Sequence, residues 1–493
     1  MLLILTIDAI VIITLISVAR RGGVEKALPY FVFVATLLPE ECRIKLPGLF
    51  DLYTHRLALI VLIVLFFSGK RRSVVRTLPL KRLILVHVAW VFISTLASIV
   101  VVTSLKQLLA QVLEYYVVFY IFTRSITSVR TIIALVYAMM AAMSVACVFG
   151  MFEIYAKWSV LSIFPSDLQQ TYGTGDPLYV EMMDRGVRVH STFAHPILFG
   201  GAISMMVPMA LYLMAKSQKG VQRAFVALSL VLMLWNLYKT SSRGPWVATI
   251  VSTLLLLLAS EPKIRKRIAV VASLAILSLI LRPGVAATIW NTYLATLNPD
   301  TQMGASFEYR PALFHAVTKA LNQTPSRALF GFGLGSFREK GLVIVLPKIE
   351  THRWYTCDSS WVLFMYETGY VGFIILGALL FKPAFMALRG YWTLSRRDRD
   401  LSLTFCCSFV SFFIVMISVA AYGWGQNGYM LWLLVAMTVS YIALKKNERC
   451  LVTLKRNAEA IAVEPEAEVQ TQQSRWLSAV SEQSTGATAM KLF

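Results

Sequence analysis

The stretch LILVHVAWVFISTLASIVVV, residues Leu83–Val102, runs for 20 residues without a charged side chain. That is the length an α-helix needs to cross about 30 Å of hydrocarbon. Comparable runs recur at Thr131–Val148, Pro196–Met214, Ile268–Leu281 and Thr404–Ala421. Hydrocarbon offers no partner to a backbone N–H or C=O, so each run must satisfy its own polar groups as a helix. The whole chain agrees: 57% of its 493 residues are hydrophobic and only 15% are charged, with a mean hydropathy of +0.66. These values lie outside the range of water-soluble domains.

A net charge of +21 is a common footprint of phosphate binding, but its distribution excludes nucleic acid as the partner. The cations sit in short links between apolar runs: Arg20, Arg21 and Lys26; Lys70, Arg71, Arg72, Arg76, Lys81 and Arg82; Lys263, Arg265, Lys266 and Arg267; Arg396, Arg397 and Arg399. This is the asymmetry of cytoplasmic loops, and it predicts an outside amino terminus and a cytoplasmic carboxyl terminus. The first run, Met1–Val18, lacks a basic start and a small-residue cleavage site and reads as a retained span.

The expected fold is therefore an all-α integral membrane protein of about 12–13 transmembrane helices with one large structured outer loop. Residues 1–282 hold ten spans with short loops, 283–358 the large loop, 359–446 three more spans, and 447–493 a disordered cytoplasmic tail, polar and rich in Glu and Gln. The run Leu28–Leu38 is short and is interrupted by Pro29. Outer segments are expected at Pro39–Arg56, Glu153–His195 and Arg282–Asp358. The last loses transmembrane hydropathy, predicts a helix around Phe307–Leu321, and carries the glycine-rich Gly331-Phe-Gly-Leu-Gly-Ser336. Six scattered cysteines show no metal-ligand spacing. Cys42 and Cys357 fall on the same side and are open to pairing there.

The order of motifs from Arg188 to Tyr370 resembles the O-antigen ligase and O-antigen polymerase family of membrane glycosyltransferases. Ser242-Arg243-Gly244 opens a span at its outer mouth, and Arg310 stands within Glu308-Tyr-Arg-Pro-Ala-Leu-Phe314. Next come Leu329-Phe-Gly-Phe-Gly-Leu-Gly-Ser-Phe337, Asp358 before a span, and Glu367-Thr-Gly-Tyr-Val-Gly372 inside it. The sequence departs from the family at Asp358-Ser359, where relatives carry His-Asn; the catalytic role then falls to Asp358 or to His352, six residues upstream.

The resemblance implies a GT-C-like fold and a polyprenyl-diphosphate-linked oligosaccharide donor at the outer leaflet of a bacterial inner membrane, with the active face periplasmic. It also implies a glycan acceptor, membrane lipid and other polysaccharide-assembly proteins as partners. The leaving lipid diphosphate develops negative charge, and guanidinium groups hold phosphate oxygens bidentately without a metal. Arg243 and Arg310 are the expected diphosphate clamp, with no cofactor and no metal. A carboxylate takes the acceptor's proton during attack, and Asp358 is the candidate. An arginine at a span end also snorkels, and an aspartate there also caps a helix, so each residue has a structural reading beside the functional one.

His195, before a span, reads either as an interfacial histidine or as a residue lining the site. His87, within a run, reads as an interhelical hydrogen-bonding group. Glu367 and Glu114, costly inside apolar runs, are each expected to be paired or functional, for instance by orienting an arginine. The glycines lack the lysine of a phosphate-binding loop and read as a tight turn. Together these features point to an inverting, metal-independent glycosyltransferase that extends or transfers lipid-diphosphate-linked glycan in surface polysaccharide synthesis, with a lean to polymerase. The alternatives are a ligase acting on a lipid A core acceptor and, from another class, a transporter or flippase of lipid-linked glycan.

Overall fold

The computed structural model describes residues 1–46, 51–69, 79–168, 188–216, 220–281, 283–298, 301–346, 349–423 and 425–463. The chain divides into a body, residues 1–442, and a carboxyl-terminal unit, residues 443–493. Among the described residues seven helices are long and apolar enough to cross a membrane: Leu2–Leu37, Val129–Tyr155, Pro196–Lys216, Gly220–Lys239, Ser360–Thr393, Arg396–Ser418 and Gly425–Leu451. Thr54–Ser68 and Arg243–Ala259 are shorter apolar helices. The longer sequence count also includes Lys81–Leu96, the segment Val101–Ser125 and Pro262–Leu281, and it divides Leu2–Leu37. That helix breaks at Gly23, at φ 77°, whereas Pro29 is carried inside it.

The body is apolar on its outside, and its apolar interior also holds small polar side chains. Ile10, Ile13, Val64, Phe67, Val231, Ile250, Leu258, Ile374 and Phe385 are exposed, while Ser229, Asn236, Ser252, Ser408, Ser411 and Ser440 are buried. Exposed apolar surface of this extent is stable only against lipid tails, and small polar side chains let helices approach closely there. The helix Arg396–Ser418 is central, packing on Ser360–Thr393, Pro196–Lys216 and Arg243–Ala259. Trp432 is fully buried and packs with Tyr115, Tyr116 and Phe119.

The large loop has a core of its own. Its helix Gln302–Leu321 starts five residues before the expected one. It places Tyr309, Leu313, Val317 and Leu321 in a buried cluster with Phe337, Ile344, Cys357 and Tyr366. The i, i+4 spacing makes one face of a helix apolar. Two features were not expected in an all-α chain. One is a two-residue pairing of Arg43–Ile44 with Leu52–Tyr53. The other is a hairpin of Leu342–Leu346 with Ile349–Trp354, which the β-branched run Leu-Val-Ile-Val-Leu favours.

Two expectations are corrected. The tail is not disordered from residue 447: helix Gly425–Val463 continues to Val463, because Lys, Glu, Leu and Ala between 443 and 463 are good helix formers. The rest of the expected tail, 464–493, lies outside the described residues. Cys42 and Cys357 are both free thiols, so the open pairing between them is not made.

Candidate functional site

The helix Ser360–Thr393 breaks at Gly369, at φ 70°. The break frees carbonyls that a continuous helix would consume, and the glycine-rich loop takes them. Phe332 N–H donates to the Tyr366 oxygen at 3.0 Å and Gly333 N–H to the Glu367 oxygen at 2.8 Å. The Ser94 hydroxyl donates to the Phe330 oxygen at 2.6 Å, and the Trp90 indole to the Thr368 oxygen at 3.2 Å. Gly331, at φ 71°, stands where a Cβ would collide with the Glu367 carbonyl and the Gly369 nitrogen. The glycine loop and the Glu367-Thr-Gly369 break are therefore one interlocked unit. Glu367 does not orient an arginine here; its Oε1 accepts the Gly335 amide at 2.8 Å, and it also takes the amide of Phe337.

This unit forms part of the wall of a cavity of about 760 Å³, which Asp358 and Glu367 both line. Asp358 precedes the helix, but Ser359 caps it: its hydroxyl accepts the Val362 amide at 3.4 Å and donates to the Met416 oxygen at 3.2 Å. Ser360 adds bonds to the Val419 oxygen from its amide at 3.1 Å and from its hydroxyl at 3.0 Å. With the cap supplied by Ser359, Asp358 does not serve as the helix cap, and it lines the cavity. Burial pushes its pKa up, and the charge of Arg310 partly opposes that.

Arg310 donates to the Ser418 oxygen at 3.3 Å. Gly244 approaches the same residue so closely that a Cβ there would meet the Ser418 hydroxyl. Arg243, its neighbour, begins the helix Arg243–Ala259 and donates to the Thr296 hydroxyl at 2.5 Å. The end of helix Arg396–Ser418 thus gathers the elements that carry Arg243, Arg310 and Asp358 into one region. Of the three, Asp358 lines the cavity.

The other residues singled out in the sequence lie elsewhere. His352 stands on the hairpin strand Ile349–Trp354, opposite Ile344. The His195 Nδ1 accepts the Ile197 amide at 3.1 Å, closing the start of helix Pro196–Lys216. The Tyr116 hydroxyl and His87 Nδ1 lie 2.6 Å apart between helices.

Sequence reasoning missed a further part of the wall. Glu40, Arg43, Tyr53, His55, Arg56, Gln107, Gln111 and Glu114 line it, drawn from the segment Pro39–Arg56 and from helix Val101–Gln111 with the π-turn Val112–Val117 that continues it. The Arg56 guanidinium pairs with the Glu114 carboxylate, both side chains nearly buried. Glu114 inside an apolar run signalled such a partner, and Arg56, in the first turn of the earlier helix Thr54–Ser68, is the partner found. Among the described residues no group of three His, Cys, Asp or Glu side chains is placed to hold a metal ion.

Residues 228–377 match the family model described as O-antigen ligase. The matched stretch contains Arg243, Arg310, His352, Asp358 and Glu367, while His195 and the wall from Glu40 to Glu114 lie before it. No curated protein matches the chain.

Proposed function

We propose, from the premise that this chain belongs to the O-antigen ligase and polymerase family through residues 228–377, that it transfers a lipid-diphosphate-linked glycan onto a second glycan. The family and the apolar helices make it a multi-pass membrane protein with a role in polysaccharide synthesis. The observation that carries the finer reading is Asp358. Ser359 relieves it of capping, it lines a cavity large enough for sugar rings, and it feels the charge of Arg310.

In this reading the acceptor hydroxyl attacks the anomeric carbon of the donor. The new C–O bond forms as the bond from that carbon to the phosphate oxygen breaks, the Asp358 carboxylate takes the hydroxyl proton, and the lipid diphosphate leaves with the bonding pair. Direct displacement inverts the anomeric centre. Arg310 and Arg243 stabilise the developing phosphate charge, work that a divalent metal otherwise performs. The active face is periplasmic and the membrane is the bacterial inner membrane. Aspartate in place of the family's histidine favours a polymerase, whose acceptor is a growing glycan.

The test is transfer by purified protein in the presence of a metal chelator, with a polyprenyl-diphosphate-linked oligosaccharide as donor. Native protein is expected to produce a ladder of longer glycans, lost in Arg310→Ala and in Asp358→Ala. Transfer only on addition of a lipid core identifies a ligase. A donor that crosses vesicle bilayers without any release of lipid diphosphate replaces the reading with transport.

A further inference from the structure

One part of the cavity wall is built from residues that precede the matched stretch, and its chemistry differs from that of an anion site. Each of its arginines is already engaged. Arg43 pairs with Asp51 at 3.2 Å and donates to the Leu168 oxygen at 3.1 Å; Arg56 pairs with Glu114. Glu40 Oε1 accepts the Gly425 amide at 2.7 Å. Two arginines matched by carboxylates leave little field at this part of the wall for a second diphosphate; the cavity's further arginine, Arg338, stands on the helix Ser336–Lys340 of the large loop.

What the wall presents instead is neutral hydrogen-bonding capacity. Gln107 and Gln111 sit one helical turn apart, on the same face of helix Val101–Gln111, and both line the cavity. Gln111 is only 7% exposed. Its Nε2 donates to the Tyr422 hydroxyl at 3.2 Å, yet its Oε1 is buried with no hydrogen-bond partner among the described residues. His55, 1% exposed, lines the same cavity and likewise has Nδ1 without a partner among them. Both atoms belong to residues that line one cavity, and buried polar groups normally find a partner. An amide oxygen accepts and an amide nitrogen donates, which suits ring hydroxyls that do both. The exposed ring of Tyr355, also on the cavity, offers an apolar face to a sugar.

We infer that Gln107, Gln111 and His55 form the subsite that holds the acceptor sugar against Asp358, a neutral polyhydroxyl ring and not a second phosphate group. The inference rests on the transfer reading above. It makes the first outer segment and the helix before the π-turn specificity-determining, although both lie outside residues 228–377.

The experiment measures KM separately for two substrates of the full-length protein: the polyprenyl-diphosphate-linked oligosaccharide donor and a lipid-free oligosaccharide of the same repeating unit as acceptor. Gln107→Ala alters an exposed side chain, and Gln111→Leu keeps the volume of a buried one. Each is expected to raise the acceptor KM about fivefold, the worth of one lost hydrogen bond, with the donor KM unmoved. An acceptor KM that stays put in both variants, or a donor KM that rises in step with it, overturns the subsite while leaving transfer intact. Native protein that releases no lipid diphosphate with both substrates present overturns the transfer reading itself, and the subsite with it.

Discussion

Arg310 donates to the Ser418 backbone oxygen at 3.3 Å, and from that position its charge acts on the half-buried Asp358 carboxyl. The two effects on Asp358 oppose each other: burial disfavours the carboxylate, and the guanidinium favours it.

The balance gives a pH prediction with a definite sign. As a general base Asp358 must be ionised, so transfer is lost as pH falls through its folded pKa, which burial holds above the ordinary carboxylate value. Removing the cation in Arg310→Gln leaves only the desolvation, so the acidic limb of kcat/KM moves to higher pH, in addition to any loss of rate. Asp358→Asn should lower transfer by about 10²–10⁴-fold and abolish that limb. Profiles of kcat/KM against pH for the three proteins decide it; a limb that stays in place in Arg310→Gln, or persists in Asp358→Asn, assigns the base elsewhere.

The break at Gly369 gives a structural prediction. A Cβ at this position would run into the Leu329 carbonyl oxygen, and φ 70° with ψ −179° is a conformation open in practice only to glycine. Gly369→Ala should therefore cost about 1–3 kcal/mol of backbone strain. It should also undock the glycine loop from the Tyr366 and Glu367 oxygens. Thermal unfolding and limited proteolysis around 325–341 measure both effects; a variant as stable and as protease-resistant as the native chain sinks the interlock.

Spans such as Val129–Tyr155, Pro196–Lys216 and Arg396–Ser418 were legible because hydropathy is set locally, one run at a time, whereas the run Leu83–Val102 is not one helix: a helix ends at Leu96 and another begins at Val101. The loop helix was legible because Tyr309, Leu313, Val317 and Leu321 recur at helical spacing. The second cavity wall was not, since Arg56 and Asp358 are some three hundred positions apart and only packing brings both to one cavity. The π-turn leaves no mark in composition, yet Glu114, Tyr115 and Tyr116 within it are all buried. Glu367 was legible as a residue needing a reason, though its partners are the backbone amides of Gly335 and Phe337. The helix over 443–463 was obscured by the polar residues that follow it.

The Arg56–Glu114 pair yields a prediction that separates the worth of a charge from the cost of orphaning it. Their side chains are 10% and 8% exposed, and Arg56 also donates to the Asp51 oxygen at 2.5 Å and lies over the Tyr53 ring at 4.5 Å. Glu114→Leu leaves a guanidinium with its principal counter-charge gone in a largely water-excluded place, and should cost about 3–5 kcal/mol. Arg56→Met alone strands the carboxylate and should cost a similar amount. The double variant Arg56→Met with Glu114→Leu removes both charges while keeping apolar volume, so it should be more stable than either single variant. Unfolding of the four purified proteins in one detergent measures the coupling. If the two single costs simply add, the pair is two independent surface-like charges, and the case for Arg56 and Glu114 as a self-neutralised part of the acceptor wall falls with it.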